Sequence, residues 1–591
     1  MRQYCKKYRQ NEQNPFAVVS WQDDFLYKLQ ELVDCFIQER NISMQDIVLV
    51  FPNARPKRYL TARYKKSAGQ KQQAGILPQI YTSSEFYALC LHHFERGQSL
   101  FSEQEPLDRY AKLYEIVKNI LQKKRNTHFS ASVEIRQLEA SETDVSYKKE
   151  ENGVLQMAKF YPWAESLDML FEECFQHLIF PRNIEYADGE VSPFAQSLLA
   201  DLKEIFTEYV RSMQEKRQST PAYGLFRTAR YIQSYYQYQD GKTPDMADMP
   251  FEKNKGDAEC FSDFTPYLLQ GKCIIFAGFV SVSQAEEVIL KYFWERGACL
   301  CFHTDSRLVT DIRALHYSCE EHGKKKKKWR AEAYLLGAGG ERKPKISFLP
   351  AYDVHSQLQS LKKDIMPYIE TAQERDDYCA VVLPNPSLLM PVLHELPNKN
   401  INISLGYPIQ RTLLWQFMEC IFTLQLQKKE NAGGYSYRAE DLRALLRHPY
   451  AKMLLGQGKQ GNSKARAEQA AVSDDNFSTW RKVLYYAEKK LAEQGVYADC
   501  ADFVQNTLFD LDNENLPYAL NETLEEFIDN FFALTVFSWE QVENLRDIGE
   551  RLYALIDFLI RYGAGVWYRF PLDKEGLVRF LQNTVPSVMQ N

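Results

Sequence analysis

The feature that most restricts the fold is Ile47-Val-Leu-Val-Phe51, five apolar residues in a row. An amphipathic helix or a half-exposed strand would interrupt such a run with polar positions. An unbroken, Val/Ile-rich apolar run of this length suits a strand covered on both faces, as in a parallel sheet. Parallel strands need long crossovers, usually helical, and the flanking sequence supplies them. Phe16-Ala-Val-Val-Ser20 reads as a first strand, followed by a helix with Phe25, Leu29, Leu32, Val33, Phe36 and Ile37 on one face. Thr82-Ser-Ser-Glu85 is a capping box that opens a further helix carrying Phe86, Leu89 and Cys90.

The strand signal fades over 101–265, where helical segments alternate with polar breaks, and then returns. Lys272-Cys-Ile-Ile-Phe276 reads as a buried strand, Ser283-Gln-Ala-Glu286 as a capping box, and Ala298-Cys-Leu-Cys-Phe302 as the strand closing another βαβ unit. A lysine-rich and glycine-containing stretch follows, and then a second α/β series whose clearest strand is Cys379-Ala-Val-Val-Leu383. Its helix stripe is Leu414, Phe417, Met418, Ile421 and Leu424. Ser538-Trp-Glu-Gln541 is expected to open a helix in the last, mostly helical part.

The expected class is therefore α/β, with two sheet domains that each carry a helical insertion. Residues 1–100 and 266–320 form the first sheet domain, 101–265 its insertion, and 321–345 a basic, glycine-containing junction. Residues 346–427 start the second sheet domain and 428–591 form the second helical region. A length of 591 residues suits such a multidomain chain.

Composition narrows the function. A formal net charge of −6 means that any nucleic acid is bound by a local basic surface rather than by the chain as a whole. No apolar stretch approaches the length needed to cross a bilayer, and the polar N-terminus carries no secretory pattern. A cytoplasmic location is expected. Twelve cysteines form no Cys-x-x-Cys pair. Cys299 and Cys301 alternate along a strand, so both thiols share one face and are expected to be buried and reduced. No metal site and no cofactor are expected.

Four segments carry a family resemblance. Val48-Leu-Val-Phe-Pro-Asn-Ala-Arg-Pro56 with Ile76-Leu-Pro-Gln-Ile-Tyr-Thr82, then Ile275-Phe-Ala-Gly-Phe-Val-Ser-Val-Ser-Gln-Ala-Glu-Glu287, occur in order along the chain. Ala380-Val-Val-Leu-Pro-Asn385 with Asn402-Ile-Ser-Leu-Gly-Tyr-Pro408, and Asp441-Leu-Arg-Ala-Leu-Leu-Arg-His-Pro-Tyr450, follow them. Together they resemble AddB-type proteins, the inactivated superfamily I helicase and PD-(D/E)XK nuclease family. The resemblance implies two RecA-like domains, DNA as partner, and an active helicase-nuclease subunit with which double-strand breaks are processed for recombinational repair. Two rival readings stand beside it: the front part of a PD-(D/E)XK nuclease polypeptide whose active domain lies downstream, and a helical interaction scaffold unrelated to DNA.

The chemistry of a working member is not written in these residues. A RecA-like motor needs a glycine-rich loop ending in Lys and Ser/Thr after its first strand, to cradle phosphates and hold magnesium. Here Ser20-Trp-Gln-Asp-Asp24 stands in that place, with two carboxylates where phosphate would arrive. The strand that should end on a magnesium-binding Asp ends instead on Phe276-Ala-Gly-Phe279. Glu374 to Asp377 and Asp573-Lys-Glu575 read as solvated charges rather than nuclease ligands, and no catalytic residue is assigned. The second sheet is expected to be incomplete, with its remaining strands following residue 591.

The candidate nucleic-acid contacts are Arg55, Lys57, Arg58, Arg63, Lys65 and Lys66, clustered just after a strand of the first domain. They read equally as phosphate contacts or as a solvated helix face. Lys324 to Arg330, with Trp329, is a second basic run that reads as a patch or as a solvated loop. Phe226, Arg227, Arg230, Tyr231 and Tyr235 interleave aromatic and basic residues, as a binding face or as helical core with exposed arginines would.

Overall fold

The computed structural model describes residues 16–70, 77–95, 101–123, 157–181, 184, 192–239, 269–304, 333–337, 346–363, 380–395, 409–431, 434–456, 474–509 and 517–590. The chain divides into two compact units, Met1–Lys343 and Pro344–Asn591.

The first unit is built on a six-stranded parallel sheet. Its strands are β1 (Phe16–Ser20), β2 (Ile47–Phe51), β3 (Gln79–Thr82), β6 (Cys273–Ala277), β7 (Cys299–Thr304) and β8 (Ala333–Leu335), in the order β3-β2-β6-β7-β1-β8. A separate parallel pair, β4 (Ser102–Glu103) and β5 (Gln218–Ser219), lies in the insertion. The α/β class and the strands expected at 16–20, 47–51, 272–276 and 298–302 are therefore present, the last two shifted by one or two residues. β8 falls within the stretch expected to be a junction, so the sheet extends further along the chain than the composition break suggested.

Both faces of the sheet are covered, which explains the unbroken apolar runs. Ala17, Val19, Leu49, Phe51, Ile275, Ala277, Cys299 and Cys301 point to one face, beneath helices α1 (Phe25–Arg40) and α2 (Ala54–Gln70). Phe16, Val18, Val48, Val50, Ile274, Phe276, Leu300 and Phe302 point to the other, beneath α3 (Ser83–Phe94) and the later helices. Cys299 and Cys301 share a face as expected, both are buried, and burial pushes the Cys301 thiol up to about 12. The predicted capping boxes are made. Thr82 accepts from the Glu85 backbone N–H and starts α3, and Ser283 does the same with Glu286 at the start of α8 (Gln284–Glu295).

The insertion consists of α4 (Pro106–Lys123), α5 (Met157–Gln176), α6 (Pro193–Glu215) and α7 (Pro221–Gln239) around its own core. Helix α7 belongs to two cores. Ala222, Tyr223 and Phe226 pack in the insertion, while Ala229, Tyr231 and Ile232 pack against the sheet. Between them sits Arg227, 1% exposed, paired with the buried Glu95 and stacked 3.7 Å from the centroid of Phe101. Burial holds the Glu95 carboxyl above its ordinary value despite this cation. The aromatic and basic interleaving of α7 is thus core packing, but Arg227 is buried and Arg230 half-buried rather than exposed. The expectation failed because a guanidinium can be buried when a carboxylate and a ring face meet it.

The second unit, described by itself, has a helical core. The predicted stripe Leu414, Phe417, Met418, Ile421 and Leu424 is buried on the helix Leu413–Leu426. A three-stranded antiparallel sheet, β9 (Lys429–Asn431), β10 (Gly434–Arg438) and β11 (Tyr497–Asp499), has β10 at its centre. His448 caps the helix Pro449–Met453, its Nδ1 accepting from the Tyr450 N–H at 3.2 Å. The Tyr450 hydroxyl donates to Asp573 at 2.5 Å. Asp573 is therefore a buried structural acid rather than the solvated charge expected. The helix expected to open at Ser538 begins at Leu545 instead, because Asn544 supplies the cap by accepting from the Asp547 N–H at 2.9 Å.

Ala380–Leu383 and 346–350 form no strand, although their sequence predicts strands. Val382 is 86% and Phe348 91% exposed, and among the described residues neither segment has a neighbouring strand to pair with. The parallel sheet expected to begin at 346 is not formed by the described residues. Cys379, Glu374 to Asp377 and Asn402 to Pro408 lie outside them, as does the basic run Lys324 to Arg330.

Candidate nucleic-acid interface

Open α/β sheets bind ligands beyond the carboxyl ends of their strands, at a point where successive connections diverge. Here the chain leaves β2 towards β3 and leaves β6 in the opposite direction, towards β7. The switch point therefore lies between β2 and β6. Pro52, Asn53, Ala54 and Arg55 leave β2 exposed there, and Asn53 turns the chain into α2 by accepting from the Arg55 N–H at 3.1 Å.

Further along the same edge, β1 runs into a tight turn. Only Trp21 to Asp24 separate β1 from α1. The Asp23 N–H donates to the Ser20 carbonyl at 2.9 Å, the Trp21 N–H to the Thr304 carbonyl at 3.1 Å, and the Trp21 Nε1 to the His303 carbonyl at 3.0 Å. Asp24 caps α1, accepting from the Tyr27 N–H at 3.0 Å. A carboxylate thus occupies the helix terminus where backbone N–H groups would otherwise favour an anion.

Side chains pack against this turn. The Phe25 ring stacks on His303 with centroids 5.0 Å apart. Gly278, at φ +78°, leaves room for that ring, since a Cβ there would lie 3.3 Å from it. A Cβ on Gly337 would lie 2.0 Å from Asp23 Oδ2. Asp23 Oδ2 and His303 Nε2 are buried without hydrogen-bond partners among the described residues. Burial lowers the His303 imidazole below its ordinary value, against the opposing effects of the Ser20 backbone and of Asp23 and Asp24. At the end of β6, Phe276 and Phe279 contact each other edge to face in the apolar core. Among the described residues no group of three His, Cys, Asp or Glu side chains is placed to hold a metal ion.

The six basic candidates all fall on α2, but they do not act alike. Lys57 pairs with Glu85 at 2.6 Å, tying α2 to the cap of α3. Burial works to raise the Glu85 carboxyl, yet Lys57 and the Thr82 N–H bring it below its ordinary value. Arg63 reaches Asp24 at 3.3 Å, tying α2 to the start of α1. Arg55, Arg58 and Lys65 are exposed and make no ion pair among the described residues. At positions i, i+3 and i+10 they share one stripe of the helix. The side chain of Lys66 lies outside the described residues. Two of these cations thus hold the helix in place and three point to solvent.

Three exposed aromatics near this surface were not singled out in the sequence: Trp21, Tyr27 and Tyr59, at 61%, 48% and 45% exposure. A signal was available for Tyr59, since Arg55, Tyr59 and Arg63 recur every fourth residue. No protein-family model matches the chain, and no curated protein matches it at a significant level. No helix among the described residues is long and apolar enough to cross a membrane.

Proposed function

We propose that this chain is the noncatalytic, helicase-like DNA-binding part of an AddAB-type helicase-nuclease, working beside an active subunit on DNA double-strand breaks. The observation that carries the reading is the contrast along one sheet edge. A doubly wound parallel sheet ends on a closed, acid-capped turn and an aromatic strand terminus where a motor would bind nucleotide, yet it displays Arg55, Arg58 and Lys65 beside its switch point. The ordered resemblance of four segments to AddB-type proteins supports the same reading, with the first unit as a RecA-like domain. For 346–427 as the start of a second RecA-like domain, only the sequence segments speak.

Two measurements test it on the full chain. Calorimetry with ATP and magnesium is expected to give no binding in the micromolar range, and a micromolar dissociation constant would sink the reading. DNA binding is expected to weaken steeply with salt, because phosphate contacts act through counterion release. Changing Arg55, Arg58 and Lys65 together to Ala should lower the affinity and reduce the salt slope by about three. Unchanged affinity would place the DNA elsewhere.

A further inference from the structure

Lys112 of α4 is only 8% exposed, and its Nζ is buried without a hydrogen-bond partner among the described residues. Arg109, one turn before it, is buried too but meets Asp168 at 2.8 Å. A buried ammonium is ordinarily paired and hydrogen-bonded. This one has a second cation for a neighbour instead. Burial, and after it the charge of Lys216, bring the Lys112 ammonium from 10.5 down to about 8, against Glu115 and Asp108 on its own helix. Lys112 is therefore still mostly a cation at neutral pH. The end of α6 sets Lys216 in place: its N–H donates to the Ser212 carbonyl at 3.1 Å, and Arg217 turns the chain at φ +51°. The Ser102 N–H donates to the Arg217 carbonyl at 2.9 Å, where β4 pairs with β5 just before α4 begins. The exposed Lys216 and the buried Lys112 thus stand on elements tied to each other. Two residues beyond Lys216, the Gln218 amide oxygen is likewise buried without a partner.

We infer that Lys112 and Lys216 form a binding site for a small dianionic oxyanion of the sulfate or phosphate type. Two ammonium groups match two negative charges, and the three donors on each are met better by several oxygens than by a single halide. A free ion also suits an ammonium closed off from solvent, which the backbone of a polymer does not reach. With an anion in place, the charge of Lys112 is compensated and the repulsion from Lys216 becomes a shared attraction. The inference goes beyond the DNA-binding reading and does not rest on it.

The test titrates sodium sulfate into the full chain by calorimetry, with the ionic strength held constant by sodium chloride. Sulfate serves as the probe because it stays a dianion over the whole pH range measured. Saturable binding is expected at neutral pH. Lys112→Met, which keeps the length of the side chain, should weaken it about tenfold or more. Lys216→Gln removes only the exposed charge and should weaken it about twofold to fivefold. Affinity should also fall as the pH rises through about 8, where the free chain loses the Lys112 proton. Circular dichroism checks that the Met variant is folded; if it is not, unchanged affinity in the Gln variant overturns the inference. No saturable binding by the wild-type chain would also overturn it, and would leave the ammonium to a water shared with Gln218. Binding that both variants retain in full would place the anion elsewhere. An oligonucleotide that displaced the sulfate would assign the site to DNA phosphates rather than to a free ion.

Discussion

Ile47–Phe51 and Ala380–Leu383 are much alike as sequence, short apolar runs rich in valine, yet one is the heart of a sheet and the other is unpaired chain. The first has β3 and β6 on either side, and Val48, Leu49 and Val50 are fully buried. The second has no neighbouring strand among the described residues, and Val382 is 86% exposed. A strand is stable only when other strands satisfy its backbone and a packed face covers its side chains. An apolar run therefore records a capacity for a sheet, and the sheet exists where several such runs meet.

The comparison between the two units can be broken or sharpened by measurement. The largest effect is expected from Arg227→Ala, which leaves Glu95 buried without its cation. It should destabilise the first unit by about 3–5 kcal/mol, read as faster hydrogen exchange in peptides from α7 and from Glu95. Unchanged exchange there would mean that Arg227 does not join the insertion to the sheet.

The next effect is specific to the second unit and depends on pH. Burial lowers the His448 imidazole from 6.5 to about 4. A depressed imidazole means that the unfolded chain takes up the proton first as the pH falls. Stability from this group is full above pH 6.5, declines between 6.5 and about 4, and levels off below that. The total loss is about 3 kcal/mol, and His448→Gln should flatten the decline in a denaturation series measured across this range. An equally steep decline in the variant would assign the acid sensitivity to other groups.

Val50→Ala in the centre of the sheet should cost about 2 kcal/mol through lost burial and the cavity left behind. Val382→Ala should change stability by less than about 0.5 kcal/mol, as for an exposed side chain. Chemical denaturation of the two variants compares them directly. Similar losses would show that 380–383 is packed in the folded protein as β2 is.

Much of the first unit was legible in the sequence because its signals are local or periodic. Runs apolar at every position indicated strands covered on both faces, and the caps at Thr82 and Ser283 followed from residues three apart. The absence of a phosphate loop after β1 was equally legible, since that loop is defined by residue identity. Other features depend on partners distant in sequence. β8 is only three residues long and is a strand because β1 lies beside it. Asp573 is buried because Tyr450, far back in the chain, donates to it.

The basic cluster shows where that division falls within a single helix. The sequence by itself determined that six cations follow β2, and that Arg55, Tyr59 and Arg63 would recur on one ridge if the segment were helical. Tertiary structure decided which cations are left over. Glu85 lies 28 residues from Lys57, and Asp24 lies 39 residues from Arg63. Only the assembly of β1, β2 and β3 into one parallel sheet brings those carboxylates to α2, and so leaves Arg55, Arg58 and Lys65 facing solvent. Charge is a property of the residue, but its availability depends on which opposite charges the fold carries to within a few ångströms.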